Sequence, residues 1–300
     1  MTGARALSVS VVLFGVLALG ASPARAEISV IDDAGTTVRL AQPARRIITL
    51  APHMAETLFA AGAGERLVGT VEFSDFPPEV KKLPLVGGYS RLNLEAIAAL
   101  KPDLIIAWQS GNAPAHIERL RALGLPIYVS QPNRIEDVAK EIERIGVLAG
   151  TQPVANDVAA KYRQRLADIR KRYSDRPTVR TFYQVWKQPL STIGGRQIIS
   201  SVIALCGGEN VFGKLDALAP VVSVESVIAA NPEAIVASGM DASRPEWLDD
   251  WKRWPAITAV ARDNLFFVQP ELIQRHTPRL LEGAERLCQH LETARSRRPK

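Results

Sequence analysis

The chain has 300 residues, is 47% hydrophobic and carries a formal net charge of +6. That supports one large or two medium globular domains with real cores. The positive balance does not mark a nucleic-acid binder, because cations crowd the C-terminus (Arg295, Arg297, Arg298, Lys300) and no basic stripe is interleaved with aromatics. Aromatic residues make up only 6%, so clustered ones carry weight.

The first residues read as a secretory signal peptide. Arg5 gives a basic start, residues 7–19 form an apolar run, and Ala24, Arg25 and Ala26 have the A-x-A form, so cleavage is expected after Ala26. The apolar run is shorter than the about 20 residues of a membrane span. The mature chain then opens with an alternating segment around Asp33 and Gly35, a β-hairpin signal over residues 27–40. Residues 46–50 are a short buried strand. A helix follows from about Met54, with Glu56 in its first turn, and stops at Gly62 and Gly64. Residues 67–71 form the next strand, 73–78 a loop, and 93–100 a short helix. A strand at 104–108, a helix at 113–123, a strand at 126–129 and a helix at 135–149 complete this half. Strands alternating with helices predict a parallel sheet covered on both faces.

Residues 151–174 differ. Pro153 suits a first helical turn. Val154, Val158, Tyr162, Leu166, Ile169 and Tyr173 recur every three or four residues, and the other faces are charged. This predicts a long amphipathic strut. The second half then repeats the plan: a strand at 179–185, a Gly194–Gly195 turn into a helix through Cys206, strands at 235–237 and 265–268, and a closing helix at 278–291. Trp247, Trp251 and Trp254 read as packing. The expected fold class is α/β: two Rossmann-like lobes with parallel-type sheets joined by one long rigid α-helix. The expected division is signal peptide 1–26, N-terminal lobe 27–150, connecting helix 151–175 and C-terminal lobe 176–300.

An internal repeat supports two similar lobes. Residues 93–108 (NLEAIAALKPDLIIAW) are answered by 223–238 (SVESVIAANPEAIVAS). Glu95 stands seven residues before Pro102, and Glu225 seven before Pro232. Residues 63–69 (AGERLVG) are likewise answered by 207–213 (GGENVFG). The spacing is too long for a solenoid period.

No catalytic constellation is present: there is no G-x-S-x-G, Walker A loop or H-E-x-x-H. The two cysteines, Cys206 and Cys288, have no CxxC partner, which speaks against zinc and redox catalysis. Export favours their pairing within one lobe, with two buried free thiols as the alternative. His116 and His290 are expected on solvated helix surfaces. His53 and His276 fall on loops just after strands, where open α/β sheets gather ligands. Phe73, Trp108 and Trp186 each follow a strand and Tyr89 sits in a nearby loop, which suits a large, flat, partly apolar ligand. Arg275 is placed to pair an acidic group.

Pro52, residues 74–78 (SDFPP), 93–95 (NLE), 100–108 (LKPDLIIAW), Gly111 with Asn112, 206–212 (CGGENVF) and Pro278 with Arg279 together resemble the periplasmic vitamin B12-binding proteins of ABC importers. These belong to the helical-backbone metal-receptor, or class III, substrate-binding proteins, and the resemblance spans essentially the whole mature chain. It implies a periplasmic protein, not an enzyme, that carries a corrinoid (cobalamin) and uses no catalytic cofactor or bound metal of its own. It implies that Pro52, Phe73, Trp108 and Trp186 line the corrinoid cleft, that Glu95 and Glu225 dock on a homodimeric permease with its ATPase, and that Cys206 and Cys288 form a disulfide. A monomer is expected. The pattern departs at Tyr89 and Ala219, where the best-known member has Trp, and at Glu271, which replaces an Asp, with Arg275 kept. Tyr89-Ser-Arg91 also resembles the Tyr-x-Arg of haem-binding relatives, so haem or a ferric siderophore is the alternative ligand. A secreted enzyme is the alternative from another class.

Overall fold

The computed structural model describes residues 27–239 and 242–299, so the expected signal peptide lies outside the described residues. The described residues open with a hairpin of β1 (Ile28–Ile31) and β2 (Thr37–Leu40). Its turn is made by Asp32, whose Oδ1 accepts from the N–H groups of Ala34 and Thr36.

The N-terminal lobe runs β3 (Ile47–Thr49), α1 (Pro52–Ala60), β4 (Leu67–Gly69), α2 (Leu94–Ala99), β5 (Leu104–Trp108), α3 (Pro114–Ala122), β6 (Ile127–Ser130) and α4 (Asp137–Ala149). Its four strands are parallel in the order β4-β3-β5-β6. Each strand is nearly all apolar because helices cover both faces. The strut is α5 (Gln152–Tyr173), whose 22 residues rise about 33 Å.

The C-terminal half runs β7 (Val179–Gln184), α6 (Ile198–Leu205), β8 (Gly208–Asn210), α7 (Val224–Ala230), β9 (Ala234–Ala237), α8 (Thr258–Ala261), β10 (Leu265–Phe267), α9 (Pro270–Ile273) and α10 (Leu280–Ser296). Its parallel order is β10-β9-β7-β8. Numbered from the first strand of each sheet, both lobes read 2-1-3-4. The long repeat therefore maps onto equivalent elements, with α2 leading into β5 and α7 into β9. The shorter repeat maps onto the second strand of each sheet, but pairing falls three residues earlier in the second copy. Gly208–Asn210 pairs as β8, whereas the matching Gly64–Arg66 is a 3-10 turn before β4.

Some local expectations are corrected. Helix α1 begins at Pro52, where proline's fixed φ suits a first turn, so Glu56 lies beyond that turn and answers a side chain rather than the dipole. His290 is half-buried, stacked on Phe266 with Nε2 3.0 Å from the Phe267 carbonyl, and His116 is half-buried too. The tryptophans pack as expected: Trp251 is buried against Phe182 and Trp254.

The strut is tied to both lobes. Tyr162 donates to the Ile135 carbonyl at 2.9 Å, Arg163 grips Glu143 of α4 with two bonds, and Arg165 reaches Glu285 of α10 at 2.8 Å. One continuous apolar core runs from Val30 in the hairpin through Leu166 to Leu287 in α10. Cys206 and Cys288 form a disulfide that staples α10 to the end of α6.

Candidate functional site

In a 2-1-3-4 sheet the crevice opens between the first and third strands, past their carboxyl ends. In the first lobe that point is flanked by the segment after β3, which turns into α1 at Pro52 and His53, and by Trp108 at the end of β5. In the second lobe it is flanked by Trp186, two residues beyond β7, and by Ser238 after β9. The two crevices face each other. His53 and His276, one from each lobe, have ring centroids 5.1 Å apart. Trp108 meets both edge-on, at 5.1 Å and 6.5 Å, and Tyr89 lies 6.0 Å from Trp108. A cavity of about 300 Å³ opens here, lined by Trp108, Gln131, Val185, Ile198, Gln274 and His276 among others.

Local structure holds Trp108 in place. Asn112 is buried, accepts from the Trp108 N–H at 2.7 Å, and donates to the carbonyls of Leu50 and Tyr89 at 2.9 and 2.7 Å. One amide thus knots the end of β3, the Tyr89 loop and the end of β5. The indole lies so close to Gly111 that a Cβ there would fall 1.8 Å from Trp108 Cε3, so only glycine fits.

The aromatic side chains divide by depth. Phe73, Tyr89 and Trp186 are 71%, 41% and 39% exposed, whereas Trp108 is half-buried. Large aromatic faces left open at the mouth of a two-lobed cleft offer apolar surface to a ligand. Phe73 also has φ of +65°, an uncommon conformation for a bulky residue.

Two ion pairs cross between the lobes. Arg275 donates to Asp75 Oδ1 at 2.5 Å and to the Phe73 carbonyl at 3.2 Å. Burial alone would raise the Asp75 carboxyl, but the hydrogen bond and charge of Arg275 outweigh it and hold it below its ordinary range. Arg275 therefore already has an acid partner within the protein. Deeper, Arg279 forms a two-pronged bond to Glu56, both contacts 2.7 Å, with its guanidinium 3.8 Å from the Phe76 ring centroid. Glu271 lies half-buried in the first turn of α9.

Burial sets the state of the two histidines. His53 is held well below its ordinary pKa by desolvation first, then by His276 and Arg275, and His276 is pushed down to about 4 by burial. Both are neutral near pH 7. No cluster of three or more His, Cys, Asp or Glu suited to a metal ion occurs among the described residues. Glu95 and Glu225 are exposed and sit in the first turns of α2 and α7 behind the N-caps Asn93 and Ser223. The structure thus brings His53, Trp108 and His276 together at one floor, with Pro52 next to His53 in the chain, Tyr89 beside Trp108 and Arg275 linking the lobes beside Phe73. Sequence reasoning gave Glu56 only a helix-start role and assigned none to Asp75 or Gln274. Pairs separated by some 200 residues leave no local pattern to read.

Comparison with known proteins places the chain. Residues 47–272 match the family described as periplasmic binding protein. A vitamin B12-binding protein of Vibrio cholerae is 38% identical over 253 residues, covering 84% of this chain and 91% of the relative. One from Yersinia pestis is 36% identical over 251 residues, covering 84% and 88%. Among solved structures, the periplasmic vitamin B12 binding protein of Vibrio cholerae superposes with a TM-score of 0.78 at 37% identity, covering 84% of this chain and 98% of that one. A periplasmic haem-binding protein from Roseiflexus shares the fold, with a TM-score of 0.71 at 22% identity over 83% of this chain and 99% of that one. The chain belongs to the periplasmic binding protein family, and it is a binding protein rather than an enzyme.

Proposed function

We propose that this protein captures a corrinoid in the cleft between its lobes and delivers it in the periplasm to the permease of an ABC importer. The observation that carries this reading is the agreement of two facts. The chain is 38% identical, over nearly its whole mature length, to a protein named for vitamin B12 binding, and its proposed mouth leaves Phe73, Tyr89 and Trp186 exposed, with Trp108 half-buried. Such a mouth matches a broad, flat, partly apolar ring. The cleft residues of this reading are Pro52, His53, Phe73, Tyr89, Trp108, Trp186, Glu271, Arg275 and His276. Residues 27–150 and 176–300 act as the two jaws and 151–175 as their strut, after removal of residues 1–26. Glu95 and Glu225 serve as matched docking acids, one per lobe, for a two-fold permease that works with its ATPase.

The test is to mix the purified mature protein with cyanocobalamin and, separately, with haemin. Tight, saturable quenching of tryptophan fluorescence by cyanocobalamin, weakened several-fold by Trp108→Ala, is the expected result. Tight binding of haemin without cyanocobalamin, lost in Tyr89→Phe, would reverse the ligand assignment.

A further inference from the structure

The cleft floor contains two imidazoles that aromatic packing does not explain. His53 comes from the N-terminal lobe and His276 from the C-terminal lobe, and they are 4% and 5% exposed. His53 Nε2 and His276 Nδ1 are both buried and neither has a hydrogen-bond partner in the structure. A buried polar atom left unpaired is costly, so such atoms call for an explanation. A neutral imidazole carries one donor and one acceptor. With the rings 5.1 Å apart, a small rotation lets His276 Nδ1–H donate to His53 Nε2, which satisfies both orphans at once. That tautomer leaves His276 Nε2 as a bare lone pair. His276 lines the cavity beside Trp108 and Gln274, whereas His53 is not among the lining residues. A ring nitrogen whose partner nitrogen is anchored from behind is the usual arrangement of a metal-ligating histidine.

We propose that His276 is an axial nitrogen donor to the metal at the centre of the bound ring, and that His53 is the positioning residue that fixes its tautomer. This rests on the corrinoid reading and narrows it. The ligand class so served is a corrinoid with an open axial position, one that lacks its own nucleotide base or has released it. The step is a ligand exchange: the His276 Nε2 lone pair forms a bond to cobalt as a water leaves, with no change of oxidation state. No proton moves, because His276 is already neutral. Aromatic faces hold the ring by its surface, and His276 adds a bond that a ring with both axial positions filled cannot take.

The experiment uses diaquocobinamide, which has no base of its own, and cyanocobalamin, whose two axial positions are occupied. Absorption spectra are recorded for the mature protein, His276→Ala, His276→Gln and His53→Ala, each first shown to melt cooperatively. Free imidazole titrated into diaquocobinamide supplies the reference spectrum for a nitrogen-bound cobalt. The wild type is expected to reproduce that shift. His276→Ala and His276→Gln are expected to lose it and to bind diaquocobinamide at least about tenfold more weakly, and His53→Ala to keep the shift with affinity reduced about 10–100-fold. A shift that persists in both His276 variants, or its absence in a wild type that binds cyanocobalamin, overturns the inference and leaves the corrinoid reading intact. Failure of the wild type to bind either corrinoid overturns the reading itself, and this inference with it.

Discussion

Removing the guanidinium of Arg279 is expected to destabilise the fold far more than a surface arginine would. Its partner Glu56 is only 3% exposed at the side chain and Arg279 19%, so water screens the pair poorly. Both carboxylate oxygens are engaged at 2.7 Å and Phe76 covers the guanidinium face. In Arg279→Met the Glu56 carboxylate is left buried and unpaired, which costs about 3–5 kcal/mol. In the double variant Glu56→Gln/Arg279→Met no buried charge remains, so most of that loss is expected to return. The coupling energy from a double-mutant cycle, measured by chemical denaturation near pH 7, is expected to exceed about 2 kcal/mol. Single-variant effects that add to within about 0.5 kcal/mol would refute the reasoning, because they would show that the acid and base do not depend on each other.

Gly111→Ala is expected to push the Trp108 indole off its seat, since the new Cβ would fall 1.8 Å from Cε3; the check is weaker cyanocobalamin quenching with a shifted tryptophan emission. Glu141 is buried, its pKa pushed up to about 7 by desolvation and the nearby Asp33 charge, so the folded state holds this proton more tightly than the unfolded one. Its ionisation therefore costs stability as pH rises from about 4.5 to 7, by about 3 kcal/mol at pH 8, and Glu141→Gln, compared with wild type by denaturation at both ends of that window, is expected to gain this amount only at the upper end. Glu95→Arg and Glu225→Arg are expected to leave cyanocobalamin affinity within about twofold, as for surface changes. Uptake through the cognate permease should fall sharply in each, and normal uptake by the double variant would leave both acids as helix starters only.

Two-lobed organisation was legible because it rests on local signals. Apolar strands bounded by turns, the heptad-like stripe from Val154 to Tyr173 and the matched helix-Pro-strand units each carry their cause within some 20 residues. Boundaries slipped where a single residue decides them, as at Pro52, which starts α1 two positions earlier than expected. The floor of the site was legible in part. Strand ends mark where ligands gather, and this picked out His53, Trp108 and His276 without showing that the two rings meet. The pairs Glu56–Arg279 and Asp75–Arg275 were illegible, because each joins residues that only the closed two-lobed fold brings together. The same holds for Asn112, whose sequence neighbours do not reveal that it bonds Leu50 and Tyr89 at once.

The internal repeat explains why the proposed docking acids and the cleft are built so differently on one plan. The two lobes repeat the strand order 2-1-3-4, and on the rim they also repeat chemistry: an N-cap, then an acid, then the short helix before the third strand. A rim acid needs only its local helix start to be correctly placed, so it survives duplication with little dependence on the rest of the lobe. Charges of this kind steer and orient a partner more than they hold it. The cleft is under the opposite constraint. Each lobe supplies half of one enclosure, and identical halves would bring like groups face to face. The first lobe contributes Trp108, fixed by Asn112 and Gly111, and the second contributes Val185, Gln274 and His276. The inter-lobe ion pairs follow the same rule, with acids Glu56 and Asp75 on one side and Arg275 and Arg279 on the other. Two like charges in that setting would repel across a poorly screened gap. On the proposed reading, symmetry is therefore kept where a two-fold permease would read it and broken where a single ligand would be held.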